Sequence, residues 1–437
     1  MSSANKDFRV NKACNYILLT LAYLGLMIFV PVISNGSILV PAITYTLPAF
    51  LLLILNVKKI TWGVFLSLLL LTILALVSIV ATTASMAAYW DKIRGLLFFI
   101  YGLSGALGLY LGIVSATPKG ISNLTLGLMI FIIIGASLET FFGLSAISDS
   151  FREKFMLSPY SSDQRDLDFI GRIRPKLFTS EPSYLAGFFA LISFQWLVLS
   201  DGAARALKFF LLTAASAYVI GSPMVVIAVI GGLAIEFYKN SRKRNKSTKS
   251  KKLMLIVVGV IAIFLLSTTI LQNRIQETVA GREGSFVIRI IAPFYMALLA
   301  IEQNALFGVG LSGSEEAMDS IIVEGAALSN IPGRTADSID RIQSTFFSLW
   351  MYFGLLGGCF FFILLRKLLQ NMNIDNKKMA WVMLLVFSQL GLGSIHGLKF
   401  WAYSMSFLAC LNLLDGVRKQ RKDDLSKAIP RGNVIDG

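Results

Sequence analysis

Apolar residues along this chain gather in long blocks, with no heptad pattern and no internal repeat. A helix needs about 20 mostly apolar residues to cross the hydrocarbon core of a bilayer. Blocks near that length are 15–33, 38–55, 61–81, 95–115, 121–143, 182–200, 206–220, 223–238, 253–271, 345–365, 379–396 and 399–415. The pattern predicts an all-α integral membrane protein with about twelve transmembrane helices, forming a single polytopic domain over 1–437. The run 206–238 is too long for one untilted span, and Gly221-Ser222-Pro223 breaks it near the middle into two short ones. Such short, broken helices are tolerated at membrane depth where they line a cavity.

Composition agrees. Of the 437 residues 55% are hydrophobic and 15% charged, well below the roughly 25% charged residues of soluble domains. The net charge of +15 would raise nucleic acid as a partner of a soluble chain, but here it follows from topology. Lys and Arg favour the cytoplasmic side, and one orientation places 26 of the 40 there. It puts both termini and the basic loop 239–252 (KNSRKRNKSTKSK and the following Lys252) in the cytoplasm. The external side then carries two substantial loops, 144–181 and 272–344, expected to form a partly helical cap. The first apolar run lacks a small-residue cleavage site and is read as an uncleaved first span. Cys14, Cys359 and Cys410 lie in or beside apolar segments, so no disulfide framework is implied.

Chemistry concentrates in the external loops. Nine arginines fall there: Arg152, Arg165, Arg172, Arg174, Arg274, Arg282, Arg289, Arg334 and Arg341. Guanidinium groups bind phosphate as a planar fork and stay charged when partly desolvated. Several have loop carboxylates nearby as simple partners, whereas Arg289 sits in the apolar run 285–304 with no acid beside it, where a charge is costly unless used. Glu181 precedes Pro182, which suits the first turn of a helix, so the carboxylate is expected at a helix N-terminus beside the Arg cluster. It can act as general base, organise the arginines, or simply face the helix dipole. His396 is the one histidine, at the external end of a span, and is a second candidate for proton transfer. Asp166-Leu167-Asp168 is a weak metal–diphosphate signal. The sequence has no zinc-like spacing, no Walker loop and no Gly-x-Ser-x-Gly elbow. No metal and no cofactor are expected.

The order of these residues is similar to that of a known family. Arg174-Pro-Lys-Leu-Phe178-Thr-Ser-Glu181-Pro182-Ser183 resembles the Arg…Phe-x-x-Glu-Pro-Ser stretch of Wzy-type O-antigen polymerases. Arg289 followed by Leu306-Phe307-Gly308-Val309-Gly310 resembles a stretch of the wider O-antigen polymerase/ligase superfamily, as does Gln343-Ser-Thr-Phe-Phe…Tyr352-Phe-Gly354. The resemblance covers mainly 165–365. It implies a fold like that of the metal-independent, lipid-linked (GT-C-like) glycosyltransferases, in the bacterial inner membrane with its active site facing the periplasm. The implied reaction releases a growing glycan from undecaprenyl diphosphate and joins it to the next lipid-linked repeat unit. Donor and acceptor are undecaprenyl-diphosphate-linked oligosaccharides, with a chain-length regulator and a flippase as membrane partners and no nucleic acid.

Combining the residues with that chemistry, Arg172, Arg174, Arg289, Arg282 and Arg341 are expected on the substrate diphosphate, with Glu181 and His396 catalytic. The alternatives are an O-antigen ligase, transferring glycan to lipid A-core, and a lipid-linked oligosaccharide flippase. Ligases of the superfamily resemble one another in a His within the large external loop, which this chain lacks. A flippase should line its spans with charge and show related halves, whereas these spans hold few ionisable residues, with Glu139 and Glu236 near their ends, and no related halves are seen.

Overall fold

A computed structural model describes residues 3–34, 37–40, 42–82, 86–156, 166–167, 171–202, 204–222, 224–241, 287–311, 315–329 and 344–428. The expected span 253–271 and the site candidates Arg282 and Arg341 lie outside these residues, as does nearly all of the basic loop.

The described chain is predominantly helical. The helices are α1 (Ser3–Ile28), α2 (Ile43–Asn56), α3 (Trp62–Thr82), α4 (Met86–Val114), α5 (Pro118–Phe142), α6 (Ser145–Phe155), α7 (Pro182–Leu199), α8 (Arg205–Ile220) and α9 (Met224–Ser241). They continue as α10 (Ala292–Gln303), α11 (Glu315–Leu328), α12 (Thr345–Asn371), α13 (Lys377–Gln389) and α14 (Leu398–Ala428). Six of them are long and apolar enough to cross a membrane: α3, α5, α7, α12, Lys92–Val114 of α4 and Leu398–Arg421 of α14. The break in 206–238 falls where Gly221-Ser222-Pro223 predicts it: α8 ends at Ile220, Gly221 takes φ +60°, and α9 starts at Met224.

Three local features depart from the sequence reading. Residues 37–40 are a strand (β2), paired antiparallel with β1 (Val32–Ser34), so the helix of the block 38–55 begins only at Ile43. Pro41 has no N–H to give a helix and favours extended backbone before it, and Ala42 then turns through φ +52°. Likewise α13 stops at Gln389, where the block runs to 396. Gly391 (φ +67°) and Gly393 (φ +91°) hold 390–397 in a tight irregular segment. In α12, Gly354 (φ 61°, ψ −167°) interrupts the helix.

The core surrounds α7, in which every residue but Ser183 and Tyr184 is buried. It packs against α5, α9 and α14, while α14 lies along α4, and α2 along α1 and α4. A buried polar chain crosses the middle: Tyr23 of α1 donates to Gln195 of α7 at 2.8 Å, and Gln195 donates to Ser406 of α14 at 2.8 Å. Each group finds a partner at a depth where an unpaired one would be expensive.

The break in α12 has a specific partner. Residues 305–309 cross it closely: Val309 N–H donates to Met351 O at 2.9 Å, Leu355 N–H to Ala305 O at 2.8 Å, and Gly357 N–H to Leu306 O at 3.1 Å. The crossing segment thus satisfies backbone groups that the break frees. A Cβ on Gly308 would collide with Met351 O, and one on Gly310 with the Thr82 hydroxyl. The Gly-x-Gly spacing is therefore a packing requirement. Lys92, 1% exposed, secures the crossing by donating to Val309 O (3.0 Å), Thr82 O (3.2 Å) and Thr82 Oγ1 (2.9 Å).

Candidate active site

Three helices begin at one end of the bundle. Parallel neighbours α7 and α14 start at Pro182 and Leu398. The first residue of α12, Thr345, donates to Gly393 O at 2.7 Å just before α14 begins, and Ser348 Oγ accepts from Ile395 N–H at 2.9 Å. Helix N-termini carry partial positive charge and unsatisfied N–H groups, so their convergence favours an anion.

The side chains at this corner reinforce it. Glu181 is the N-cap residue of α7, in extended backbone, with Pro182 in the first turn as its sequence predicts. Its carboxylate makes no capping bond and instead accepts from Ser183 Oγ at 2.8 Å. Arg289 arrives from a π-helical turn, Val287–Ile291, that leads into α10. Its Nη2 lies 3.5 Å from Ser183 Oγ, at the edge of hydrogen-bond range. Its stem rests on Gly391, where an added Cβ would sit 3.1 Å from Nε. From α14 comes Lys399, whose Nζ stands 3.3 Å from the centre of the Tyr184 ring and 4.5 Å from that of Phe29. Tyr184 stands in the first turn of α7, the helix whose N-cap residue is Glu181. A lysine in the first turn of a helix opposes the dipole. The two aromatic faces lie where a cation is attracted to the ring.

His396 stands beside this corner. Its ring nitrogens lie 2.9 and 3.1 Å from Ser394 Oγ, and its ring centre is 5.7 Å from that of Tyr352. It belongs to the irregular segment 390–397 that also supports Arg289.

The other two described arginine candidates are engaged in holding the loop that leads to Glu181. Arg174 (5% exposed) meets Asp166 (1% exposed) through Nε at 2.8 Å and Nη2 at 2.7 Å. Asp166, half of the Asp-x-Asp pair, is thereby used as an ion-pair partner. Arg172 donates to Tyr218 O and lies over the rings of Phe141 (5.5 Å) and Tyr218 (5.1 Å), joining α5 to α8. The same loop is stapled to α5 by Glu139, which accepts from the N–H groups of Lys176 (2.8 Å) and Leu177 (2.9 Å). Arg152 donates to Leu177 O. A polar cavity of about 310 Å³ adjoins these groups, lined in part by Glu139, Arg152, Arg174 and Lys176. Among the described residues no group of three or more His, Cys, Asp or Glu side chains could hold a metal ion.

Ser183 closes the Glu-Pro-Ser stretch without a role of its own in the sequence reading, and Lys399 does not stand out there. Lys399 looks like an ordinary residue at the edge of a span. Its only hint is its position three residues after His396, and nothing in the sequence pairs it with residue 181.

Fold and site together define a multi-pass membrane protein with a cationic, carboxylate-bearing corner suited to an anionic substrate. Residues 208–362, just over a third of the chain, match the model of the family described as O-antigen ligase (Wzy_C). The matched part includes Arg289 and the Gly-x-Gly crossing, whereas Glu181, His396 and Lys399 lie outside it. No curated protein matches the chain. The family match supports the O-antigen ligase/polymerase superfamily, and with it a glycosyltransferase-like activity on lipid-linked oligosaccharides in O-antigen biosynthesis. It does not separate polymerase from ligase.

Proposed function

We propose that the protein is an O-antigen or related polysaccharide polymerase. It would transfer the growing glycan from undecaprenyl diphosphate to the next lipid-linked repeat unit, at the periplasmic face of the inner membrane. The observation that carries this reading is the grouping of Arg289, beside Ser183 and Glu181, and Lys399, against Tyr184, at converging helix N-termini.

A hydroxyl oxygen of the acceptor sugar attacks the anomeric carbon of the donor glycan. The bond from that carbon to the diphosphate oxygen breaks, and the diphosphate leaves with the electron pair. Arg289 and Lys399, with the helix N-termini, neutralise the charge developing on it, in a corner where preorganised charge acts strongly. The acceptor proton passes to Glu181, or to His396 as the second candidate base. Two lipid-tethered substrates held in one plane contribute the rest through proximity. Arg172 and Arg174 act one step back in this reading, by fixing the loop that presents Glu181. Arg282 and Arg341 are proposed to extend the diphosphate clamp, and the loops 144–181 and 272–344 to cover it.

Ligase activity is the second reading, favoured by the name of the matched family, O-antigen ligase. The banding ladder of lipopolysaccharide from a deletion strain separates the two. A polymerase deletion leaves lipid A-core capped by a single repeat unit, and Arg289→Ala at normal membrane level does not restore the ladder. Bare core with long lipid-linked polymer accumulating identifies a ligase. A full ladder in the deletion strain overturns both.

A further inference from the structure

At the end of the bundle opposite Glu181, α12 and α13 border a shallow, open depression of about 560 Å³ lined by Phe362, Ile363, Arg366, Lys377, Lys378 and Trp381. Three cations therefore ring a depression whose other walls are apolar, and no acidic residue lines it. All three are exposed, and among the described residues none of them forms a salt bridge. A second cavity of about 250 Å³ continues along the same helices toward the Glu181 end. Phe362 and Trp381 line both, and the second is walled largely by Phe361, Leu365, Leu384 and Phe400.

Cations at the end of a membrane helix usually serve as topology anchors. These three differ because they ring a concavity that opens onto an apolar crevice. Because α12 breaks at Gly354, the crevice is short: the Phe346 and Phe362 rings both lie against Trp350, at 6.1 and 5.7 Å between ring centres. That is room for the first part of an acyl chain, the rest of which would lie in the hydrocarbon core. The combination fits a phosphodiester at the mouth and the first part of one acyl chain within, as in basic pockets between helices that take anionic headgroups. We propose that the α12–α13 crevice binds an anionic phospholipid, with Arg366, Lys377 and Lys378 on its phosphate and an acyl chain along Phe362 and Trp381. Its basic mouth lies away from the proposed active corner, while the inner end of the crevice reaches Thr345 and Ile395 beside that corner; lipid binding does not depend on the reaction assigned there.

The test uses the purified full-length protein in neutral detergent, titrated with phosphatidylglycerol or phosphatidylcholine brominated on one acyl chain. Bromine quenches tryptophan fluorescence at contact distance. The expected result is a saturable quenching component at lower concentration with phosphatidylglycerol, and it is this component that Trp381→Phe removes. The triple variant Arg366→Gln, Lys377→Gln, Lys378→Gln should weaken that binding by on the order of 10- to 100-fold, with its melting temperature in phosphatidylcholine unchanged. A control triple at the same end, Lys367→Gln, Lys419→Gln, Arg421→Gln, should bind like wild type.

Equal weakening by the control triple overturns the proposal in favour of general surface charge. Full competition by millimolar inorganic phosphate overturns it in favour of a simple anion patch. Displacement of the quencher by a polyprenyl phosphate, but not by unbrominated phosphatidylglycerol, assigns the crevice to a substrate tail. If the triple variant does not fold, the Trp381→Phe comparison decides alone, and equal quenching by the two lipids sinks the idea.

Discussion

Arg289 is a charge placed where membrane physics resists it, and its surroundings show what it is held for. Gly391 lets the guanidinium stem lie flat on the backbone, and Ser183 links it to Glu181. Arg289→Ala is expected to reduce polymerisation in isolated membranes by on the order of 10²- to 10³-fold, the scale of losing one preorganised donor. Arg289→Lys should recover little, since a point charge replaces a fork. Gly391→Ala tests the support beneath it. Both the added Cβ and the φ of +67° work against alanine, so turnover should fall while membrane level stays normal. Glu181→Gln separates two roles. A base would lose on the order of 10²- to 10⁴-fold in rate, whereas activity within a few-fold of wild type would leave Glu181 as an organiser and pass the proton to His396.

Elements place these residues through a few close crossings. The Gly308–Gly310 segment passes through the break in α12 and is pinned by Lys92 of α4. Because α10 runs into that segment, the crossing also fixes the helix that begins just after Arg289. Lys92→Met would leave Val309 O and the Thr82 groups without their donor. It should destabilise the protein by about 2–3 kcal/mol, read as a lower melting temperature in detergent. Gly308→Ala should be worse, through collision with Met351 O at a φ of +58°. Gly127→Ala in α5 is the contrast: nothing lies within 4 Å of its Cβ position, so alanine should be neutral or stabilising by up to about 1 kcal/mol. Equal loss at Gly127 and Gly308 would mean that the crossing has no special role.

Across the whole molecule, the converging helix starts at Pro182, Thr345 and Leu398 lie at one end and the Arg366–Lys378 turn at the other. The orientation read from the loops puts the first end outside. In a background of Cys14→Ser, Cys359→Ser and Cys410→Ala, Ser180→Cys should react with a membrane-impermeant maleimide in spheroplasts. Asp375→Cys should react only after lysis. The reverse pattern would invert the topology and move the proposed chemistry to the wrong face.

The sequence alone determined those features that depend on local chemistry. Long apolar blocks marked the membrane helices, Pro182 fixed the start of α7 and hence the place of Glu181, and Gly221-Ser222-Pro223 marked a break. Arg289 stood out because a lone charge in an apolar run is costly wherever that run folds. What required tertiary structure was which charges meet. Arg172 and Arg174 are near neighbours of Glu181 in sequence, yet they are engaged with the Phe141–Tyr218 pair and with Asp166. Arg289 and Lys399 are more than a hundred residues away and reach the Glu181 corner. Ion pairs and aromatic faces act over a few ångströms of space whatever the separation along the chain. Only the packing of α7, α12 and α14 could therefore decide which cations the carboxylate would face.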